Sequence, residues 1–300
     1  MPKISSDAAV AVNPKNGEIH IAFSTIPAHS KIGYFDSAYA GERLIPALLF
    51  GKNLHALDYR ELTELYEILK DPGGKPLCPD AIFATSGSSI IWNGMALFPY
   101  VVRKANETFI YVVHLQDGAI SAVSEPIYAD NANLDETALA VFDGKIYLNS
   151  RVQGFAGVGA GIRYLAESSD GIHFSQPIPW YLADPGCNAK QIGNLFIHPH
   201  SISARENGAI IAVPTLNSLS VDSLSQTSLS VDSISVNSLS STSLPPKTVH
   251  ESPKILGQFP AGSFGYSDAA YFAGKLYVLY ESNSGLCLAV FEQVDEQKTS

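Results

Sequence analysis

Apolar residues along this chain recur in short alternating or continuous runs, broken every few residues by Gly, Asn or Asp. Alternation with period two marks a half-buried strand, and short uninterrupted apolar runs fit strands covered on both faces. Ala8 to Ser24 predicts two strands about the turn Asn13-Pro14-Lys15-Asn16-Gly17, and Thr137 to Ser150 predicts two more about Asp143-Gly144. Ala269 to Glu281 repeats that shape about Ala273-Gly274, so the unit Gly-Lys-Ile/Leu-Tyr occurs at 144–147 and again at 274–277. A recurring hairpin unit implies antiparallel blades. Arg60 to Lys70 alone carries apolar residues at helical spacing (Leu62, Leu65, Tyr66, Leu69), and Asp71-Pro72-Gly73-Gly74 ends it. Many short strands with little helix predict an all-β fold, and a β-propeller is the arrangement that leaves few long strand edges exposed.

Two segments stand apart from the strand pattern. Ser168-Ser169-Asp170-Gly171-Ile172-His173-Phe174 reads as a shortened Asp-box, a hairpin turn in which Ser and Asp side chains bond the backbone. Residues 217–246 are six consecutive five-residue units of polar-Ser-Leu/Ile-Ser-x, read as a low-complexity surface insert within a single domain spanning 1–300.

The 300 residues include 19 Lys+Arg against 29 Asp+Glu, a net charge of −10, with 46% hydrophobic residues. That apolar content supplies a core, and the acidic balance without a basic cluster argues against a nucleic-acid partner. Three scattered cysteines (Cys78, Cys187, Cys287) make neither a disulfide framework nor a Cys-rich zinc site. The opening Met1-Pro-Lys-Ile-Ser-Ser-Asp7 has no charged segment leading into an apolar one, and no window is long enough to span a bilayer. A soluble chain follows, cytoplasmic or secreted without a visible signal.

With so few cations, arginines at the ends of apolar strands invite a reason. Arg43 precedes Leu-Ile-Pro-Ala-Leu-Leu, Arg151 closes Lys-Ile-Tyr-Leu-Asn-Ser-Arg, and Arg205 lies in His-Ser-Ile-Ser-Ala-Arg-Glu-Asn-Gly. Each alone is explained by a surface ion pair; three converging at a propeller mouth would clamp a carboxylate through paired N–H donors. Glu136 stands fifteen residues before Arg151, and Tyr266 fifteen before Glu281. If the hairpins are equivalent, all four residues face one rim.

These residues resemble the sialidases, the six-bladed neuraminidase type. Arg43 with Ile45-Pro46 looks like the family's Arg-Ile-Pro motif, and Asp58-Tyr59-Arg60 like its Asp-x-Arg. Glu136 to Arg151 is similar to its glutamate and central arginine hairpin. Ala183-Asp-Pro-Gly-Cys187 resembles its Pro-Gly-Cys segment, Arg205-Glu-Asn-Gly its third arginine, and Tyr266-Ser-Asp to Leu-Tyr-Glu281 its nucleophile hairpin. The resemblance is strongest from 134 to 292. It implies six blades with one reduced, because Arg43 to Glu136 is a short stretch for the family. It further implies an exo-sialidase that releases sialic acid from glycoconjugates without a cofactor or metal. The implied roles are Tyr266 as nucleophile, Glu136 as its base, Asp71 as acid/base with Glu67 next, and Arg43, Arg60, Arg151, Arg205 and Glu281 around the substrate. Leu44, which intervenes between Arg43 and Ile45, would turn Arg43 to the opposite strand face. That feature supports an alternative, a propeller that binds an acidic sugar without cleaving it. A third reading, a five-bladed furanosidase type, leaves Tyr266 and the arginines without a task.

Overall fold

In the computed structural model, residues 4–26, 43–153, 161–214 and 254–292 are described. They form five antiparallel sheets in chain order; four are meanders of consecutive strands, and in the second sheet the first two strands both pair with the third. The first blade comprises β1 (Ile4–Val12), β2 (Ile19–Ile26), β3 (Ile45–Gly51) and β4 (Asp58–Glu61), followed by the short helix α1 (Leu65–Ile68). The second holds β5 (Ala81–Ala84), β6 (Ile90–Trp92), β7 (Met95–Lys104), β8 (Glu107–Gln116) and β9 (Ala119–Val123). The third is β10 (Leu134–Phe142), β11 (Lys145–Val152), β12 (Ile162–Ser168) and β13 (Ile178–Tyr181). The fourth is β14 (Lys190–Ile192), β15 (Leu195–Pro199), β16 (Gly208–Ala212) and β17 (Ile255–Gln258). The fifth is β18 (Ser267–Phe272), β19 (Lys275–Ser282) and β20 (Gly285–Phe291). Leading strands of successive blades touch, β1 with β5, β6 with β10, β10 with β14 and β14 with β18, which is the radial stacking of a β-propeller.

The core lies between blades. Ala22, Leu48, Ile82, Phe98 and Tyr111 pack the first seam, and Leu97, Val101, Leu139, Leu148 and Tyr164 the second. Leu165, Trp180, Phe196 and Ile211 fill the third, and Ile197, Ile210, Phe264, Leu276 and Val278 the fourth. A blade with neighbours on both sides needs apolar residues on both faces, which is why β7 and β8 read as unbroken apolar runs. The fifth blade has one such seam, and Phe272, Leu279, Leu286, Leu288 and Val290 on it are exposed.

The two-residue turns obey backbone geometry. Asp143-Gly144 and Ala273-Gly274 both hold positive φ at both positions (49° and 65°; 49° and 76°), the requirement of a type I′ hairpin turn whose twist matches its strands. At the expected Asp-box turn, Asp170 Oδ1 accepts the N–H groups of Ile172 and His173, and Ser168 Oγ accepts that of Gly171. His114 of the second blade contacts the Gly171 carbonyl, so the turn also ties two blades together.

One expectation changes. The predicted helix over 60–70 shrinks to Leu65–Ile68, because Arg60 and Glu61 pair with Leu48 and Ala47 as an outer strand, and sheet pairing overrides helical spacing. The described residues form five blades, which is compatible with the expected propeller of six blades with one reduced. The repeat at 217–246 lies outside the described residues.

Candidate active site

Backbone register builds this site first. In the β10/β11 hairpin, Thr137 pairs with Ser150 and Leu134 with Val152, so Asp135 and Glu136 together oppose Arg151. Such a bulge breaks strict alternation and turns neighbouring side chains toward one rim. The fifth blade repeats it: Ser267 pairs with Tyr280, while the Gly265 N–H donates to the Glu281 carbonyl and the Glu281 N–H to the Tyr266 carbonyl. Glu136 and Tyr266 thus occupy equivalent places on two blades.

The Tyr266 hydroxyl donates to Glu136 Oε1 at 2.7 Å, across a sequence separation of 130 residues. Glu136 is 7% exposed. Its other oxygen lies 3.0 Å from Arg151 Nε, a close ion pair whose N–H is not aligned for a hydrogen bond. Arg151 meanwhile gives Nη2 to Asp135 at 2.8 Å and Nη1 to the Gly186 carbonyl at 2.7 Å. Ser86 Oγ approaches Glu136 Oε1 at 3.3 Å from the link between β5 and β6. That link crosses close to the third blade at Gly87, where any Cβ would strike the Thr137 carbonyl. Arg205 lays its guanidinium 4.9 Å from the Tyr266 ring centroid.

Burial raises the pKa of Glu136; Arg151 opposes that shift, while Asp135 and Asp7 reinforce it. Burial and the neighbouring Glu136 likewise raise the Tyr266 phenol, with Arg151 and Arg205 acting against them. Arg151 is raised, since the burial that lowers it is outweighed by Glu136 and Asp135. The phenol is therefore neutral at rest and hydrogen-bonded to a buried carboxyl with enhanced basicity, the arrangement by which a weak nucleophile is activated.

A cavity of about 390 Å³ opens here, lined by Asp7, Phe83, Arg103, Asp135, Glu136, Arg151 and Arg205 among others. Tyr266 does not itself line the cavity but touches two residues that do, Glu136 and Arg205. Three of its lining residues are arginines. Arg103, stacked 4.9 Å from the Phe83 centroid, was not among the sequence candidates, although it ends the apolar run of β7 as Arg151 ends that of β11. Asp7 was missed too, because nothing in an alternating sequence announces a bulge.

Other candidates lie elsewhere. Arg43 is exposed and stacks 4.7 Å from the Tyr66 centroid, without lining the cavity. Arg60, on β4, bonds the Gly118 carbonyl and Glu64. Asp71 uses Oδ1 to accept the N–H groups of Gly73 and Lys75, stabilising its own turn. It borders two larger cavities of about 770 and 600 Å³ that share no residue with Glu136, Arg151 or Arg205. Size does not pick the chemical site; converging titratable groups do. Glu67 lies on α1, and Glu281 is exposed, packed against Gly265 beside Tyr266.

No family model and no curated protein matches the chain. Solved structures do. A Hadza microbial sialidase superposes with a TM-score of 0.66 at 16% identity, covering 95% of this chain and 52% of that one. The Trypanosoma rangeli sialidase in complex with the inhibitor DANA gives 0.62 at 16% identity, covering 95% and 44%. The leech intramolecular trans-sialidase gives 0.59 at 12% identity, covering 96% and 56%. The chain has the β-propeller fold of the sialidases. It spans about half the length of these proteins, of which the Trypanosoma rangeli sialidase has been solved in complex with sialic acid and with 2,3-difluorosialic acid as a covalent intermediate. Among the described residues of this sialidase-type propeller, no group of three or more His, Cys, Asp or Glu could hold a metal ion, and no helix is long and apolar enough to cross a membrane.

Proposed function

We propose that the chain is an exo-sialidase-type glycosidase that cleaves a terminal sialic acid with retention, Tyr266 acting as nucleophile and Glu136 as its base. The observation that carries this reading is the 2.7 Å hydrogen bond from the Tyr266 hydroxyl to a buried Glu136. A sugar bearing a carboxylate on its anomeric carbon would repel a carboxylate nucleophile, whereas a neutral phenol approaches without that cost. As the phenol oxygen attacks the anomeric carbon, its proton passes to Glu136, and the bond to the departing glycan breaks as that glycan's oxygen takes a proton from solvent water. Water then attacks the same carbon, gives up one proton to the solvent and displaces Tyr266, which recovers its own proton from Glu136. Arg151 and Arg205, with Arg103, supply the cationic wall that would hold the sugar carboxylate.

A second reading, binding of an acidic sugar without cleavage, has support in Arg43 and Asp71, both away from the cavity. One experiment separates the two. A fluorogenic sialoside should be hydrolysed by the parent chain, and Tyr266→Phe should lose about 100-fold or more in kcat while keeping affinity for a sialic acid analogue. A difluorosialic acid label should map to Tyr266. Binding without turnover in the parent chain would favour the second reading.

A further inference from the structure

We infer that the outward face of the fifth blade is an interface between two copies of this chain, packed about a two-fold axis. Successive side chains of a strand point to opposite faces, so β19 and β20 each divide into two sets. Leu276, Val278, Tyr280, Ala289 and Phe291 belong to the seam with the fourth blade. The other set is apolar as well. Strand register puts its members side by side: Tyr277 pairs with Val290, Leu279 with Leu288 and Glu281 with Leu286. Phe272, paired with Lys275, extends this surface, its ring tilted against that of Tyr277 at 6.5 Å. Phe272, Leu286 and Leu288 are 72%, 71% and 63% exposed. An antiparallel sheet that meets water on one face alternates apolar with polar residues. In β20 the outward positions are Leu286, Leu288 and Val290, the composition of a surface that is covered.

Charge identifies what covers it. Outward positions along β19 run Lys275, Tyr277, Leu279 and Glu281: a cation, two apolar residues and an anion. That order is complementary to its own reverse. Let a second copy be turned by a half-rotation about an axis lying in the face, across the strands and between Tyr277 and Leu279; its β19 then runs antiparallel over the first. Lys275 stands over Glu281 of the second copy, Tyr277 over its Leu279 and Leu288 over its Val290, and the axis repeats each contact. Lys275 is held at the margin of the face by Glu292 at 2.8 Å, an exposed pair that leaves ammonium donors for a second carboxylate. Glu281, at the opposite margin, is exposed. An apolar centre with charges at its rim is the ordinary anatomy of a protein interface. None of these residues lines the cavity walled by Glu136 and Arg151, so the surface is separate from the chemistry proposed there.

Sedimentation equilibrium on the full chain tests the assignment. The parent should be a dimer at about 10 µM, and Leu288→Lys, which sets a charge in the apolar centre, should weaken association at least ~100-fold. Lys275→Glu and Glu281→Lys each bring like charges together and should weaken it about 10-fold, whereas the double variant restores opposite charges and should return to within about 3-fold of the parent. Lys275→Glu and the double variant both lose the pair with Glu292, so recovery reports the second copy and not a contact within the chain. Thermal melts report folding, and should Leu288→Lys fail to fold, the charge variants decide alone. A parent that stays monomeric at about 100 µM, a dimer indifferent to Leu288→Lys, or a double variant no better than the single ones would overturn the assignment. Assemblies that grow beyond two copies would overturn it too, because they would set the fifth blade head-to-tail against the exposed Val10 and Val12 on the first blade of another copy.

Discussion

Glu136 and Asp184 are both buried carboxylates paired with an arginine, and their acidities move in opposite directions. Asp184 faces Arg163 Nη1 at 3.2 Å and His198 Nδ1 at 3.4 Å, and accepts the Gly186 N–H at 2.7 Å. Burial pushes its pKa up, but Arg163, His198 and the Gly186 N–H together pull it down to about 2. Glu136 instead shares Arg151 with Asp135, meets it through a misaligned N–H, and has Asp135 and Asp7 nearby; burial wins and its pKa rises. One carboxylate is surrounded by donors and is locked as an anion. The other is held short of donors and so remains available for a proton. Such a split between neighbouring carboxylates marks a division between scaffold and chemistry.

The two are linked. Asp184 fixes the Gly186 loop, and the Gly186 carbonyl receives Arg151. Arg163, with no exposed surface, also reaches the Cys187 carbonyl and Asn149, so the sealed network is the mount on which the reactive one sits. The most damaging way to break the comparison is to neutralise the sealed carboxylate. Asp184→Asn should destabilise the fold by about 3–5 kcal/mol, because Arg163 would be left as a buried charge with no counter-ion. Chemical denaturation measures it, and a loss below ~1 kcal/mol would mean that the network carries no structural weight.

Acidification probes the same carboxylate. Since its pKa is lowered on folding, the stability Asp184 contributes is present above the ordinary carboxylate range and is lost as pH falls toward about 2. His198, whose pKa burial lowers, adds a loss in the same direction that begins as pH drops below its ordinary value near ~6.5.

Much of this arrangement was legible in the residues. The Gly-Lys-Ile/Leu-Tyr hairpins marked equivalent blades, and the two fifteen-residue spacings put Glu136 and Tyr266 at matching points, which the structure joins at 2.7 Å. The leading hairpin of the first blade was legible but its bulge was not, for a physical reason: the side-chain period of a strand hides a bulge, and only the pairing of Ser6 with Ser24 and Ala9 with Ala22 places Asp7 in it. Asp71 attracted attention by its Asp-Pro-Gly context, which is itself sufficient to explain the turn it caps. Arg163 was overlooked because it stands second in β12, where a buried arginine needs a partner from another segment that sequence does not reveal. The pentapeptide repeat at 217–246 lies outside the described residues.

A smaller effect sharpens the open side of the comparison. Arg151→Ala should weaken a sialic acid analogue by about 2 kcal/mol, the range for charged hydrogen bonds lost from a carboxylate. Arg43→Ala should leave that affinity unchanged, since its guanidinium rests on Tyr66. Calorimetry on both variants decides the matter, and equal losses would place Arg43 in the binding site after all.

The smallest effect has the opposite sign from the first. Because Glu136 has its pKa raised on folding, the stability tied to its protonated form is present below the ordinary carboxylate value near ~4.3 and is lost as pH rises through its folded value. At neutral pH an ionised, under-solvated carboxylate is a cost to the fold, which the proposed role as base to the phenol would explain. Glu136→Gln removes that cost and retains a carbonyl oxygen to accept the Tyr266 hydroxyl. The variant should therefore be more stable than the parent by up to about 1 kcal/mol at pH 7, with the difference vanishing as pH falls to about 4, while turnover of a sialoside drops steeply. Parallel melts across that range measure the gap between the curves. A variant less stable than the parent at pH 7 would mean that the Arg151 pairing outweighs burial, and that Glu136 belongs with Asp184 as an anion of the scaffold.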